Sequence, residues 1–161
     1  MSNVKLSAPV LEHLCDLTVL VGAPLEAGRT HGRAGAGVRR IIPITGGVVS
    51  GPALQGQVMP GGADFQMIVS GTMAELDARY MLELAGGARV YVENRAIRRG
   101  SPELMARLSR GEVVDPGAIY FRCVPTFEVN DDSLSFLTES VFVGTGARYP
   151  DRVEMSFFRV A

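Results

Sequence analysis

The sequence predicts an all-β protein, a closed antiparallel β-barrel with one short helix, on three observations. Short apolar runs of strand length recur along the chain, glycine-rich turns separate them, and a single segment carries clear helix start and stop signals. Connections this short join antiparallel neighbours, because a parallel crossover needs about a dozen residues or more. Closure removes the exposed edges that a long meander would leave. A barrel of about eight or nine strands has room for one small ligand.

The stretch over residues 39–66 sets this architecture. Glycine and proline supply the backbone angles at which a chain reverses. The predicted reversals lie at Gly46-Gly47, Gly51-Pro52 and Pro60-Gly61-Gly62. Between and beside them the sequence predicts strands over residues 41–45, 48–50, 54–59 and 64–69. The last strand begins with an acidic residue, Asp64.

The first predicted strand covers residues 11–21. Its odd-numbered residues share one face, which is mostly apolar. His13 belongs to that face, and two interpretations stay open for it. It could be a catalytic base, or a core histidine whose ring is satisfied by the backbone.

Residues 27–37 are predicted to form a mobile loop, because they hold four glycines and show no periodicity. Arg29, His31 and Arg33 could bind an anion there, such as a carboxylate or a phosphate. The alternative is a solvated loop, since the glycines do not follow a strand and open a helix as a phosphate-binding loop does.

Residues 72–84 alternate between apolar and charged side chains, which favours a strand over a helix. Gly86-Gly87 then turns the chain into a second alternating strand over residues 88–94, so the pair is predicted to form a hairpin. Three further strands are predicted near the carboxyl end, over residues 119–129, 134–144 and 152–160.

The predicted helix covers residues 101–110. Ser101 is a suitable N-cap, Pro102 fits the first helical position, and Gly111 provides the stop. Leu104 and Leu108 are expected to face inward. A helix this short would close or flank one end of the barrel.

Composition limits the classes of function. The chain of 161 residues carries 16 basic and 17 acidic residues, so no net field attracts nucleic acid. No apolar run reaches the length of about 18 residues that a membrane helix needs. The first residues lack the apolar core of a secretory signal, so a cytoplasmic protein is expected, with residues 1–161 as one domain. Cys15 and Cys123 are expected to be reduced and buried. Neither a metal site nor a bound cofactor is predicted, since ligand spacing and a dinucleotide fingerprint are both missing.

Carboxylate, arginine and tyrosine side chains are the candidates for chemistry. A carboxylate in an apolar barrel mouth has its pKa raised by desolvation and can exchange protons near neutral pH. Arginine and tyrosine can bind a substrate anion or stabilise an enolate. The predicted catalytic residues are Asp64, Arg79 and Glu128. The predicted ligand-binding residues are Tyr80, Tyr91, Arg98, Tyr120 and Arg122. The alternative is structural, with each carboxylate pairing with an arginine to close the barrel ends.

Several runs together resemble a bacterial family of unknown function, DUF3237, also known as UPF0311. They include RRIIPITGG at residues 39–47, PGGAD at 60–64, LDARY at 76–80, YFR at 120–122 and FVG at 142–144. The resemblance spans nearly the whole chain. It implies a lipocalin-like, calycin-type barrel that forms homo-oligomers, dimers or larger, and it implies no established activity. Phe65 departs from the family pattern, which has tryptophan at that position.

Two functions are expected from these observations. The first is binding of a small hydrophobic or aromatic molecule in the barrel interior, where a polar rim orients the ligand. The alternative is a cofactor-independent lyase, isomerase or hydrolase on such a molecule. In that case Asp64 would transfer the proton, and an arginine or a tyrosine would stabilise the developing negative charge.

Overall fold

The computed structural model describes residues 4–33 and 35–161, which form ten strands and one α-helix. The strands of the first half are β1 (Leu11–Val21), β2 (Leu25–Gly32), β3 (Gly35–Ser50), β4 (Gly56–Val58), β5 (Ala63–Ile68) and β6 (Met73–Leu84). The second half holds β7 (Arg89–Arg99), α1 (Pro102–Ser109), β8 (Tyr120–Val129), β9 (Val141–Arg148) and β10 (Arg152–Val160). Short 3-10 helices occur at Pro116–Ala118 and Asp132–Leu137.

The strands form one antiparallel sheet that closes on itself. Their order is β1-β10-β9-β8-β7-β6-β4-β3-β2, and β5 pairs with both β3 and β6. An additional pairing between β1 and β3 joins the two sides of the sheet. The predicted closed antiparallel barrel is therefore confirmed, and β2, which pairs only with β3, lies outside the closed ring.

The strand β1 has the predicted bounds, but its face pattern needs a correction. A register shift between His13 and Cys15 places an extra residue, Leu14, in the strand. A bulge of this kind moves the side chains on one side of it to the opposite face. His13 is consequently exposed, where it hydrogen-bonds Asp16 at 3.0 Å, and it is not part of the apolar inner face.

Gly46-Gly47 was expected to end a strand, and this prediction is wrong. The strand β3 runs through both glycines to Ser50. At Gly47 the backbone of β1 comes so close that a Cβ would overlap the carbonyl oxygen of Thr18. The two glycines, with φ of 150° and 141°, therefore permit the contact of β1 with β3 without reversing the chain.

Residues 27–37 form most of a two-stranded arm, which corrects the predicted mobile loop. The strand β2 pairs with β3 from Leu25 opposite Ile41 to Gly32 opposite Gly35. Backbone pairing orders this segment although its side chains show no alternation. Ala34, inside the predicted loop, lies outside the described residues.

The predicted strand over residues 134–144 is also corrected. Its first part is the 3-10 helix Asp132–Leu137, and β9 starts only at Val141. Asp131 caps this helix by accepting a hydrogen bond from the backbone N–H of Ser133 at 2.9 Å. Local side-chain bonds of this type compete with strand pairing. The helix closes one end of the barrel with Leu134 and Leu137, both buried.

The helix α1 agrees with the prediction and closes the other end. The hydroxyl of Ser101 accepts a hydrogen bond from the backbone N–H of Leu104 at 3.3 Å, as an N-cap does. Met105 and Leu108 are buried against Ala74 of β6 and against Val114. No helix in the described part of the chain is long and apolar enough to cross a membrane.

Most of the barrel interior is a packed apolar core. The inward alternation predicted for β6 is confirmed, since Leu76, Tyr80 and Leu82 are buried. Cys15 and Cys123 belong to the same core as free thiols. Burial raises the pKa of each thiol to about 12, so both are inert near neutral pH.

Candidate functional site

A cluster of polar side chains interrupts the apolar interior on the α1 side. It surrounds a small cavity. The volume of this cavity that is open to the centre of a water-sized sphere is about 40 Å³. The polar groups that line the cavity are Asp64, Tyr80, Asn94, Arg98 and Arg148. Apolar side chains complete the wall, among them Val19, Ile42, Leu76, Phe121 and Met155.

Strand alternation and register bring these residues together. Asp64 of β5 lies opposite Ala78 of β6, which in turn lies opposite Asn94 of β7. Arg98 follows Asn94 by four residues, so both side chains point to the same, inner face of β7. Arg148 comes from the end of β9, where the hairpin to β10 begins.

Asp64 is held in place by two hydrogen bonds. Its Oδ2 accepts from Nε2 of Gln66 at 2.7 Å, and its Oδ1 accepts from the backbone N–H of Asp77 at 3.1 Å. Burial nevertheless raises the pKa of the Asp64 carboxyl above its ordinary value, against the opposing effects of Gln66, Arg98, the Asp77 N–H and Arg148. Desolvation therefore outweighs these contacts, and the carboxyl keeps its proton to a higher pH than an exposed one.

Three arginines share this interior. Arg98 is only 6% exposed and Arg40 only 8%. Burial and the repulsion of Arg148 and Arg40 lower the pKa of Arg98 to about 10, so it stays cationic near neutral pH. Burial, followed by Arg40, also lowers the pKa of Arg148.

The protein supplies few negatively charged groups to compensate the positive charges of these arginines. Over the described residues, no carboxylate oxygen lies within ion-pair distance of Arg98 or Arg148, although Asp64 is close enough to affect both electrostatically. Nε of Arg40 lies 3.6 Å from Oε2 of Glu26, an ion pair that is too long for a hydrogen bond. The guanidinium of Arg98 also stands 5.7 Å from the centroid of the Phe121 ring, a cation–π contact.

The same cluster contains all the buried side-chain polar atoms that lack a protein partner within residues 4–33 and 35–161. These atoms are Nε of Arg40, Oε1 of Gln66, Oη of Tyr80, Oδ1 of Asn94, Nε of Arg98 and Nη1 of Arg148. Buried polar groups are rarely left without partners, because each one costs free energy. Four of these six residues, Tyr80, Asn94, Arg98 and Arg148, line the cavity, so this region differs from the packed apolar core.

Of the sequence-predicted site residues, Asp64, Tyr80 and Arg98 are brought together in this cluster. Burial raises the pKa of the Tyr80 phenol, so the group remains a neutral donor. The other predicted residues lie on the outer face of the barrel, and they are Arg79, Tyr91, Tyr120, Arg122 and Glu128.

The outer residues make contacts of a different kind. Arg79 pairs with Asp77 at 3.2 Å and with Glu93 at 3.7 Å. Arg122 stands 5.2 Å from the ring centroid of Tyr120. Tyr120 and Arg122 border an open groove of 1610 Å³ on the outer wall, and the tip of the β2–β3 arm lines the same groove. Arg79 does not pair with Asp64, because Asp64 lies opposite Ala78 in the register and Arg79, the next residue of β6, points to the other face.

Sequence reasoning missed four members of the cluster, which are Arg40, Gln66, Asn94 and Arg148. A signal was present for three of them. Arg40 shares strand parity with Ile42 and Ile44, Asn94 shares it with Val90 and Val92, and Gln66 shares it with Asp64. Arg148 lay beyond the predicted end of its strand. Over the described residues, no set of three His, Cys, Asp or Glu side chains is placed to hold a metal ion.

The fold and the cluster together define a class, a closed antiparallel β-barrel with two buried arginines, a half-buried arginine and a half-buried aspartate around an interior cavity. Residues 9–160 match the family described as "Protein of unknown function (DUF3237)", and the chain belongs to this family. A UPF0311 protein of Bradyrhizobium diazoefficiens is 47% identical over 149 residues, which cover 92% of this chain and 95% of that protein.

Solved structures agree with the fold. A conserved protein of unknown function from Rhodopseudomonas palustris has a TM-score of 0.89 and 43% identity, with 98% of this chain and all (100%) of that chain covered. A more distant structure, described as an enzyme from Penicillium herquei, has a TM-score of 0.71 at 15% identity and covers 99% of this chain and 100% of that one. That second likeness concerns the fold alone.

Proposed function

We propose that the protein is an enzyme that moves a proton on a small molecule in the barrel interior, with Asp64 as the acid–base residue. The observation that carries the proposal is the Asp64 carboxyl, enclosed beside a cavity and with its pKa raised by burial. Perturbed carboxyls in cavities are typical of catalytic acids and bases, because their protonation changes near the working pH.

The neighbouring groups suit the same chemistry. When a base removes a proton next to a carbonyl group, negative charge develops on the carbonyl oxygen. Arg98 and Arg148 place positive charge near Asp64, where it would stabilise that oxygen, and Tyr80 offers a neutral O–H donor. The class of reaction that fits is isomerisation through an enolate, in which Asp64 takes the proton from one carbon and returns it to another.

Cavity size favours this proposal over passive binding of an aromatic molecule. Pockets that enclose a drug-sized ligand have volumes of about 300–1,000 Å³. The interior cavity offers about 40 Å³, enough for a reacting group but not for an entire aromatic molecule. The structural neighbour from Penicillium herquei, described as an enzyme, adds a precedent for catalysis on this fold.

The test measures proton exchange directly. The wild type and Asp64→Asn are incubated in D2O with a panel of small keto acids and ketones, and mass spectrometry follows deuterium uptake. We expect uptake with the wild type and none with Asp64→Asn. Asp77→Asn is the matched control, since Asp77 lies on the neighbouring strand with its side chain paired to Arg79 outside.

A second measurement is independent of the substrate. A carbon-13 NMR titration of the Asp64 carboxyl should give a pKa above the ordinary value of 3.8. A carboxyl that titrates at or below the ordinary value would remove the basis of the proposal, as would full exchange activity in Asp64→Asn.

A further inference from the structure

We infer that the interior cluster binds a carboxylate, held between Arg98 and Arg148 next to Asp64. This inference deepens the proposed function by naming the class of substrate, and it rests on that function only for the reaction that follows binding. In that reaction the bound carboxylate is itself the group next to the carbon that loses the proton, so Arg98 and Arg148 contact the same two oxygens before and during the reaction. The charge of the cluster, its free hydrogen-bond donors and the size of its cavity each favour a carboxylate.

The charge of the cluster is positive. Arg40 has Glu26 as its ion-pair partner, which leaves the guanidinium groups of Arg98 and Arg148 facing the single carboxyl of Asp64. A buried charge without a partner is strongly unfavourable, and an anionic ligand would compensate it. A neutral ligand would leave this cost unchanged.

The free donors suit a carboxylate. Nε of Arg98 and Nη1 of Arg148 are buried without a protein acceptor, and Oη of Tyr80 is a third group without a partner. Guanidinium groups present their N–H bonds in a plane that matches the two oxygens of a carboxylate. The donors therefore suit two anionic oxygens.

The cavity also has the right size. A water molecule needs about 10–15 Å³ of such space, so 40 Å³ accommodates about three water-sized groups. A carboxylate consists of one carbon and two oxygens and falls within this limit.

Binding should depend on pH through Asp64. A bound carboxylate repels the ionised form of Asp64 and so raises its pKa further. Binding therefore strengthens as the pH falls, whereas proton removal uses the ionised fraction of Asp64 and should gain as the pH rises. Arg98 of β7 and Arg148 of β9 act directly on the charge of Asp64, and Tyr80 of β6 lines the same cavity. Arg40 of β3 acts on these two arginines, and the thiols of Cys15 of β1 and Cys123 of β8 act on Tyr80. Burial raises the pKa of both thiols to about 12, raises that of Tyr80, and lowers that of Arg98 only to about 10, so these four groups keep their charge below neutral pH.

The experiment uses sodium acetate as the probe and acetamide as its neutral isostere, at constant ionic strength. NMR titration of the full chain gives the Kd for wild type, Arg98→Met and Arg148→Met. Arg99→Met is the matched control, because Arg99 lies on the outer face of the same strand, over the ring of Tyr120. We expect the acetate Kd to rise about tenfold or more in each interior variant, as for loss of a charge-assisted hydrogen bond.

Several results would overturn the inference. They are equal binding of acetamide and acetate, an unchanged acetate Kd in both interior variants, and an equal loss in Arg99→Met. If Arg98→Met fails to fold, Arg148→Met decides the question.

Asp64→Asn separates this inference from the proposed function. Above the pH at which acetate itself is protonated, the variant should bind acetate at least as tightly as the wild type and without pH dependence, while deuterium exchange is lost. Acetate binding combined with undiminished exchange in Asp64→Asn would refute the acid–base role and keep the carboxylate site. Loss of exchange in Asp64→Asn, with no acetate binding by the wild type, would refute the carboxylate site and keep the acid–base role.

Discussion

The two ends of the barrel interior are built from the same strands but packed in different ways. The end closed by the 3-10 helix Asp132–Leu137 contains Phe127, Phe142 and Phe157. The ring centroid of Phe127 lies 5.2 Å from that of Phe142 and 6.1 Å from that of Phe157. The end near α1 contains the polar cluster, whose donors and acceptors lack protein partners.

The strand β7 passes through both ends and makes the difference clear. Its inward residues are Val90 and Val92 in the apolar half, followed by Asn94 and Arg98 in the polar half. Side chains alternate between the inner and outer faces along the whole of β7, so the backbone does not distinguish the apolar half from the polar half. Stability should therefore come from the apolar end, whereas the polar end is held in an unfavourable arrangement that a ligand can relieve.

The largest effect is expected at the apolar end. Phe157 is fully buried (0% exposed), so Phe157→Ala should lower the free energy of unfolding by about 3–5 kcal/mol. Urea denaturation measures this change. Phe158→Ala is the control, because Phe158 is half-buried on the opposite face against His13. An equal loss in both variants would contradict the assignment of stability to this end.

Removal of a charge at the polar end should have the opposite effect on the free energy of unfolding. Arg98→Met replaces a buried cation by an apolar side chain of similar length. The free energy of unfolding should stay the same or rise by up to about 4 kcal/mol, as when other buried charges are replaced. Arg99→Met provides the exposed control in the same urea assay. A clear loss of stability in Arg98→Met alone would mean that Arg98 is well compensated by the protein.

The pH dependence of stability should distinguish a buried from an exposed carboxyl. Because burial raises the folded-state pKa of Asp64, its contribution to stability is complete below the unfolded pKa and is lost as the pH rises through the folded pKa. The stability of Asp64→Asn relative to wild type should therefore increase from about pH 4 upward and then level off.

Asp16 supplies the control of opposite sign. Its Oδ1 accepts a hydrogen bond from the hydroxyl of Ser156 at 2.6 Å, which is the main reason that the pKa of Asp16 is lowered. That contribution is present above the unfolded pKa and is lost as the pH falls through the folded pKa. Urea denaturation at several pH values gives the stability of each variant relative to wild type. Its slope against pH should have opposite signs for Asp64→Asn and Asp16→Asn, and slopes of equal sign would refute the predicted difference between the two carboxyls.

Much of the fold could be predicted because the signals are local. The bounds of β1 and β10, the inward face of β6 and the Ser101 cap of α1 all follow from alternation or capping within a few residues. The errors concern features that depend on contacts with other strands. Leu14 is an extra residue only relative to β10, and Gly47 is needed in β3 only because the backbone of β1 lies against it.

The cluster was predicted only in part for the same reason. Parity places Asp64 and Arg98 on inner faces, but their proximity to Arg148 depends on closure of the barrel through β9 and β10. No local pattern in the sequence reports which strands meet across the interior. Parity also separates Arg98 from Tyr91 on β7 and Tyr80 from Arg79 on β6, although the sequence alone did not show which face would be the inner one.

The smallest effect is expected for Arg79, which the sequence suggested as a catalytic residue. Its side chain is exposed and pairs with Asp77 and Glu93 on the outer face, where ion pairs contribute little to stability. Arg79→Ala should leave the free energy of unfolding, the acetate Kd and deuterium exchange unchanged within error, whereas Arg98→Met should weaken acetate binding in the same assay. Loss of exchange in Arg79→Ala would require that the outer wall takes part in the reaction, and the separation between the polar interior and a passive outer face would then be wrong.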